Sequence, residues 1–181
     1  MLTAENYKDL VAGFTGRNIV ADLPRKLVPL WCDDYYFTNP RAEVVLVDLD
    51  DSGTSFNYLF DIDLQRVIVA FGVPIYAKHK RDAGRMAGHP LGAGEGYHRG
   101  HLMAHSIGGG ADINLVPQLG KLNIGEFRVI ERKVRDLAKE GEQCLYFVRP
   151  LYANRKQVPS RLEQCVITPP RSITFVSHKN S

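Results

Sequence analysis

The chain has 181 residues and a formal net charge of +3, with 44% hydrophobic and 24% charged residues. These proportions exclude a disordered, collagen-like or coiled-coil protein and fit a single domain over residues 1–181. No eighteen apolar residues run together and the first ten residues carry acids, so neither a membrane span nor a signal peptide is expected. Cys32, Cys144 and Cys165 are well separated and odd in number, which suits neither a disulfide framework nor a CxxC metal knuckle. The mildly basic balance permits a nucleic-acid partner without arguing for one.

Residues 1–14 read as a short helix, with Thr3 as N-cap and Tyr7, Leu10, Val11 and Phe14 at helical spacing. Pro24 and Pro29 are then expected to break the chain ahead of an aromatic cluster, Trp31 to Phe37. Glu43–Leu49, Tyr58–Ile62 and Arg66–Phe71 are rich in β-branched and aromatic residues, and the turns between them contain Asp51, Ser52, Gly53 and Asp63. They predict an antiparallel meander, so that residues 1–77 form a helix-plus-meander half. Residues 78–96 are glycine-rich and polar and read as a long loop, a length usually kept for function or motion.

Beyond it, His101–Ile107 is expected to be a strand, Gly108–Asp112 a turn and Asn114–Gln118 a short extended segment. Phe127, Ile130, Val134 and Leu137 form the buried stripe of a helix running from about Asn123 to Lys139, with Gly141 just past its end. Cys144–Arg149, Glu163–Thr168 and Ser172–Val176 read as closing strands within residues 143–177. The fold class is therefore α+β, an antiparallel sheet core joined to a strand–loop–strand–helix unit at about 97–140.

Chemistry-bearing residues concentrate between Tyr97 and Arg135. His98, Arg99, His101 and His105 lie close together after the loop, Asn114 and Asn123 follow, and the helix carries Glu131 and Arg135. At four-residue spacing, Asn123, Phe127, Glu131 and Arg135 form one slowly drifting row on a helix, with the asparagine at its positive end. Phosphodiester hydrolysis needs a base, a cation and phosphate-binding donors. Histidine, an asparagine carbonyl beside Mg²⁺, and arginine suit these tasks. Singly, each residue has a plainer reading. The histidines suit a core or surface role, Asn123 an N-cap, and Glu131 with Arg135 a solvated ion pair.

The joint pattern is more specific. His98-Arg99-Gly100-His101, then Asn114 through Pro117-Gln118, then Leu122-Asn123 with Gly125 and Phe127, then Glu131, follow one another in that order. This series resembles the signature of the DNA/RNA non-specific endonucleases, a family with a ββα-metal core, over roughly residues 97–135. The resemblance implies a Mg²⁺-dependent enzyme, with Mn²⁺ as a substitute, that cleaves DNA and/or RNA with little sequence preference. It implies that His101 is the general base and Asn123 the direct metal ligand, with Glu131 reaching the ion through water. Arg99 and Arg135 would contact phosphate and share in catalysis. Asn114 would be a polar residue on the substrate side that orders the site, and Arg85, or Arg81, a further phosphate contact from the loop.

One position departs from the family pattern: His98 stands where the motif has aspartate. The alternative readings are a zinc site built from His98, His101 and His105, and an inactive nucleic-acid-binding module of the same fold. Small nucleases of this family that lack a signal often form the toxin part of larger secreted proteins. The resemblance therefore implies either a cytoplasmic enzyme or a toxin exported without a signal to act in a target cell, with an acidic immunity protein as partner and no membrane role.

Overall fold

A computed structural model of the chain describes residues 2–48, 55–77, 93–110 and 112–181. The first helix, α1 (Ala4–Ala12), starts with a reciprocal cap in which Thr3 accepts from the Asn6 amide while the Asn6 side chain accepts from the Thr3 backbone. Helix α2 (Ile19–Asp22) is capped by the Asn18 carbonyl oxygen, which accepts from Val20 and Ala21. Helix α3 (Pro24–Thr38) corrects the expected chain break. Pro24 occupies the first helical position, where no hydrogen bond is lost. Pro29 lies inside, and the helix runs through it because Leu27, Trp31 and Tyr35, four residues apart, are all buried on one face.

Strands β1 (Val44–Asp48), β2 (Ser55–Asp61) and β3 (Arg66–Val73) form the antiparallel meander the sequence predicts. The closing strands β6 (Leu145–Leu151), β7 (Arg161–Thr168) and β8 (Ser172–Lys179) complete a six-stranded antiparallel sheet of order β1-β2-β3-β6-β7-β8. Between β3 and β6 the chain leaves this sheet to make a separate hairpin, β4 (Tyr97–His101) with β5 (Leu115–Leu119), and two helices, α4 (Gly120–Ile124) and α5 (Glu126–Glu140).

Side-chain alternation along β6 divides the molecule into layers. Leu145 and Phe147 face the core shared with α1, α2 and α3, which contains Tyr7, Leu27 and Trp31. Tyr146 and Val148 face a second core filled by Leu102, Met103, Val116, Phe127 and Val134 from the hairpin and α5. Each fully buried side chain of this size contributes about 1.5–3 kcal/mol. The hairpin and its helix are thus fastened to one face of the sheet and the amino-terminal helices to the other. No helix among the described residues is long and apolar enough to cross a membrane.

Buried polar networks tie these layers. Arg149 of β6 donates to Asp34 of α3 at 2.6 Å and to the Tyr7 hydroxyl, with Glu163 of β7 at 3.5 Å. On the other face His178, 3% exposed, donates to the Gln164 side-chain oxygen at 2.8 Å, and Gln164 donates to the Tyr146 hydroxyl at 2.7 Å. The imidazole packs on Phe127 of α5, ring centroids 5.6 Å apart. Burial pushes the His178 imidazole below its ordinary value, and Glu126 pulls partly the other way.

The unfolded chain therefore binds this proton more readily than the folded one. Its stabilising effect is complete above the ordinary histidine value of about 6.5 and declines as pH falls through it. Urea unfolding at pH 7.5 and 5.5 should show a loss at the lower pH that His178→Gln reduces. Equal losses in both proteins would remove His178 as the cause.

Candidate metal and phosphate site

The hairpin and α4 assemble the candidate site. In the β4–β5 ladder His98 lies opposite Gln118, Gly100 opposite Val116 and His101 opposite Leu115. Directly opposed residues project to the same side, so His98 and Gln118 are neighbours. α4 begins on the residue after β5 ends and turns Asn123 back toward β4. There its side-chain nitrogen lies 3.5 Å from Nδ1 of His98.

Gly120, the first residue of α4, makes this approach possible: a β-carbon there would lie 2.7 Å from the His98 ring nitrogen Nε2. Gln118 lies against Gly100 and is fully buried, and among the described residues neither polar atom of its side chain has a hydrogen-bond partner. An orphaned amide of this kind costs about 1–3 kcal/mol. In the sequence Gln118 stands only as part of a motif. Its place across from His98 follows from the ladder register, which no single-residue signal carried.

The segment after His101 differs from the strand expected over His101–Ile107. β4 stops at His101, and His105–Ile107 is a 3₁₀ turn. Asn114 explains the stop. Its side-chain oxygen accepts from the Met103 amide at 2.8 Å, while its nitrogen donates to the carbonyls of Met103 at 2.7 Å and Gly110 at 2.8 Å. These bonds satisfy the loop backbone within the loop rather than in a longer ladder. They also correct the substrate-side assignment of Asn114, which is fully buried and spends its amide on the loop that follows His101.

Gly109 belongs to the same clamp: its amide donates to Ala104 at 3.0 Å, and any β-carbon would collide with the Met103 carbonyl. Gly109→Ala should destabilise the domain by about 1–3 kcal/mol, read as a lowered urea midpoint. An unchanged midpoint would mean that the loop has room to move aside.

The single helix expected over Asn123–Lys139 is two helices, because the backbone turns at Gly125, with φ −105° and ψ −114°. Asn123 therefore sits near the end of α4 and not at the start of the long helix, and the helix-dipole argument does not apply to it. The expected row is interrupted as well: Phe127 is fully buried, and Glu131 and Arg135 are half-buried one turn apart on α5. Arg135 is held by its neighbour Asp136, N···O 2.8 Å, and both side chains are partly open to solvent.

Arg99 and His101 are half-buried on β4, and Arg99 pairs with Pro117. Arg85 and Arg81, with positions 78–92 of the predicted loop, lie outside the described residues. Among the described residues no three His, Cys, Asp or Glu side chains come together as a metal cage. His101 closes a strand while His105 opens a 3₁₀ turn, so the zinc triad with His98 is not assembled.

The donor set suits a hard divalent ion held by few protein atoms. Asn123 would supply an amide oxygen and Glu131, on the adjoining helix, a carboxylate. An ion such as Mg²⁺ keeps most of its water in a site of this kind.

The model of the DNA/RNA non-specific endonuclease family matches residues 74–166, which include the whole hairpin–helix unit. Among solved structures, NucA from Streptococcus agalactiae with magnesium bound superposes with a TM-score of 0.56 at 15% identity, covering 83% of this chain and 88% of that one. The metal-free form of the same enzyme gives 0.54 at 18% identity, over 78% and 72%. Sda1 nuclease with a bound zinc ion gives 0.56 at 16% identity, over 77% and 84%. At these identities the superpositions establish the fold. No curated protein sequence matches the chain.

Proposed function

Because the chain belongs to the DNA/RNA non-specific endonuclease family, we propose that it is a divalent-metal-dependent endonuclease acting on DNA and RNA. The observation that supports this most directly is the meeting of β4 and α4 at the His98–Asn123 contact, inside the segment matched by the family model. Asn123 and Glu131 are the residues that would hold the ion, Asn123 through its carbonyl oxygen and Glu131 through an intervening water. Such an ion would offset the negative charge that develops on the phosphate oxygens and the leaving group; Mg²⁺ or Mn²⁺ suits this role.

His101 takes the proton of the attacking water at a ring nitrogen, the task of a general base to which an imidazole is chemically suited. Arg99 and Arg135 hold the phosphate oxygens by forked hydrogen bonds. Arg135 must first leave Asp136, which costs little because exposed pairs are worth at most about 1 kcal/mol. Asn114 acts at one remove, keeping the backbone after His101 in place. The loop arginine at position 85 is a further candidate for the phosphate.

As to setting, the reading extends to an antibacterial toxin domain whose neutralising partner is acidic, since the chain carries a net charge of +3. The nuclease assignment is tested by incubating plasmid DNA and total RNA with the purified chain in Mg²⁺ or in chelator. Degradation that the chelator abolishes is the expected result. Intact plasmid and RNA in Mg²⁺ and in Mn²⁺ would overturn the proposal.

A further inference from the structure

The position of His98 matters beyond its departure from the family pattern. Its Nδ1 lies 3.5 Å from the Asn123 side-chain amide, at the outer limit of a hydrogen bond, so the pair is weakly held and easily opened. Two atoms bound to one ion at about 2.1 Å stand roughly 3.0–3.5 Å apart for angles between square and tetrahedral. The existing gap already suits a shared ligand. Only a half-turn of the Asn123 amide is needed to present its oxygen in place of its nitrogen.

The ring also has room on this side of the hairpin. Gly120 leaves open the space a side chain would take from it, and the unpaired Gln118 amide stands opposite on the same side of the hairpin. We propose that His98 is itself a ligand, binding the ion through Nδ1 beside Asn123 and keeping its proton on Nε2. The chemical consequence is selectivity. A neutral, softer imidazole next to an amide oxygen favours Mn²⁺, Co²⁺ and Zn²⁺ over Mg²⁺, following the order of imidazole affinity for these ions. This rests on the reading of Asn123 as the metal-holding residue, and the test separates the two.

Untagged apo-protein is titrated calorimetrically with Co²⁺ and with Mg²⁺, for the wild type and for His98→Ala, His98→Asp and Asn123→Ala. Pulsed electron paramagnetic resonance of the Mn²⁺-loaded wild type and His98→Ala reads directly coordinated nitrogen. The wild type should bind Co²⁺ at least 100-fold more tightly than Mg²⁺. His98→Ala should lose about tenfold or more in Co²⁺ affinity with Mg²⁺ affinity little changed, and should lose the nitrogen modulation. His98→Asp should move the preference back toward Mg²⁺.

If both His98 variants bind Co²⁺ like the wild type while Asn123→Ala does not, the ligand role of His98 is overturned and the site reading stands. If Asn123→Ala also binds both ions normally, the site reading itself has failed, and the His98 proposal fails with it.

Discussion

Cleavage of supercoiled plasmid by the His101→Ala variant should fall by about 10²–10⁴-fold, the range over which a positioned general base contributes. The expectation rests on place as well as residue type. His101 closes β4, paired with Leu115, immediately before the loop that Asn114 clamps. Its backbone is thus fixed on both sides, while the side chain is half-buried and retains access to solvent. Removing an imidazole from such a position takes little from the core, so thermal unfolding should stay within a few degrees of the wild type. Single-turnover cleavage at saturating metal, with the melting curve as control, makes the measurement. Near-wild-type cleavage would assign the base to another residue, and collapse of the fold would leave a structural role in its place.

Asn123→Ala should act on the metal before it acts on the chemistry. The substitution removes the amide oxygen while keeping a residue that favours the helix, so α4 should persist. Loss of a direct ligand should raise the metal concentration needed for half-maximal cleavage at least tenfold, equivalent to about 1.4 kcal/mol. With excess ion the rate should recover in part, because Glu131 on α5 is untouched. That recovery distinguishes a ligand from a base: the His101 variant should stay slow at any metal concentration. An unchanged metal titration would take Asn123 out of the role.

The parts of the fold that read well from sequence were those where local pattern and final packing agree. Thr3 marks the start of α1, runs of β-branched and aromatic residues mark the meander, and Phe127, Ile130 and Val134 mark α5. Where the reading failed, a tertiary partner overruled a local rule. Pro29 should end a helix, yet Leu27, Trp31 and Tyr35 gain more by burial than one lost hydrogen bond takes away. His101–Ile107 has strand-like composition, but Asn114 offers its backbone other partners. Gly125 looked like an ordinary motif glycine within one helix, and the turn there separates Asn123 from the helix of Glu131.

The same division holds in the candidate site. Residue types in a fixed order pointed to the strand–loop–strand–helix unit and to its chemistry. Their order did not reveal that the motif's odd histidine, His98, rests against Asn123, because that contact depends on ladder register and on the bare α-carbon of Gly120. Nor did it separate Asn114 from the solvent-facing residues, since an asparagine facing phosphate and one clamping a loop look alike in sequence.

The six-stranded sheet also acts as a partition. Among the described residues, those proposed to touch phosphate or metal stand on the hairpin side, whereas α1, α2 and α3 cover the opposite face. A protein that silences this chain by blocking entry of nucleic acid must approach over the hairpin. An antibody or tether fixed to these amino-terminal helices would leave that entrance open. The amino-terminal face is therefore the natural handle for immobilising the domain with its chemistry intact.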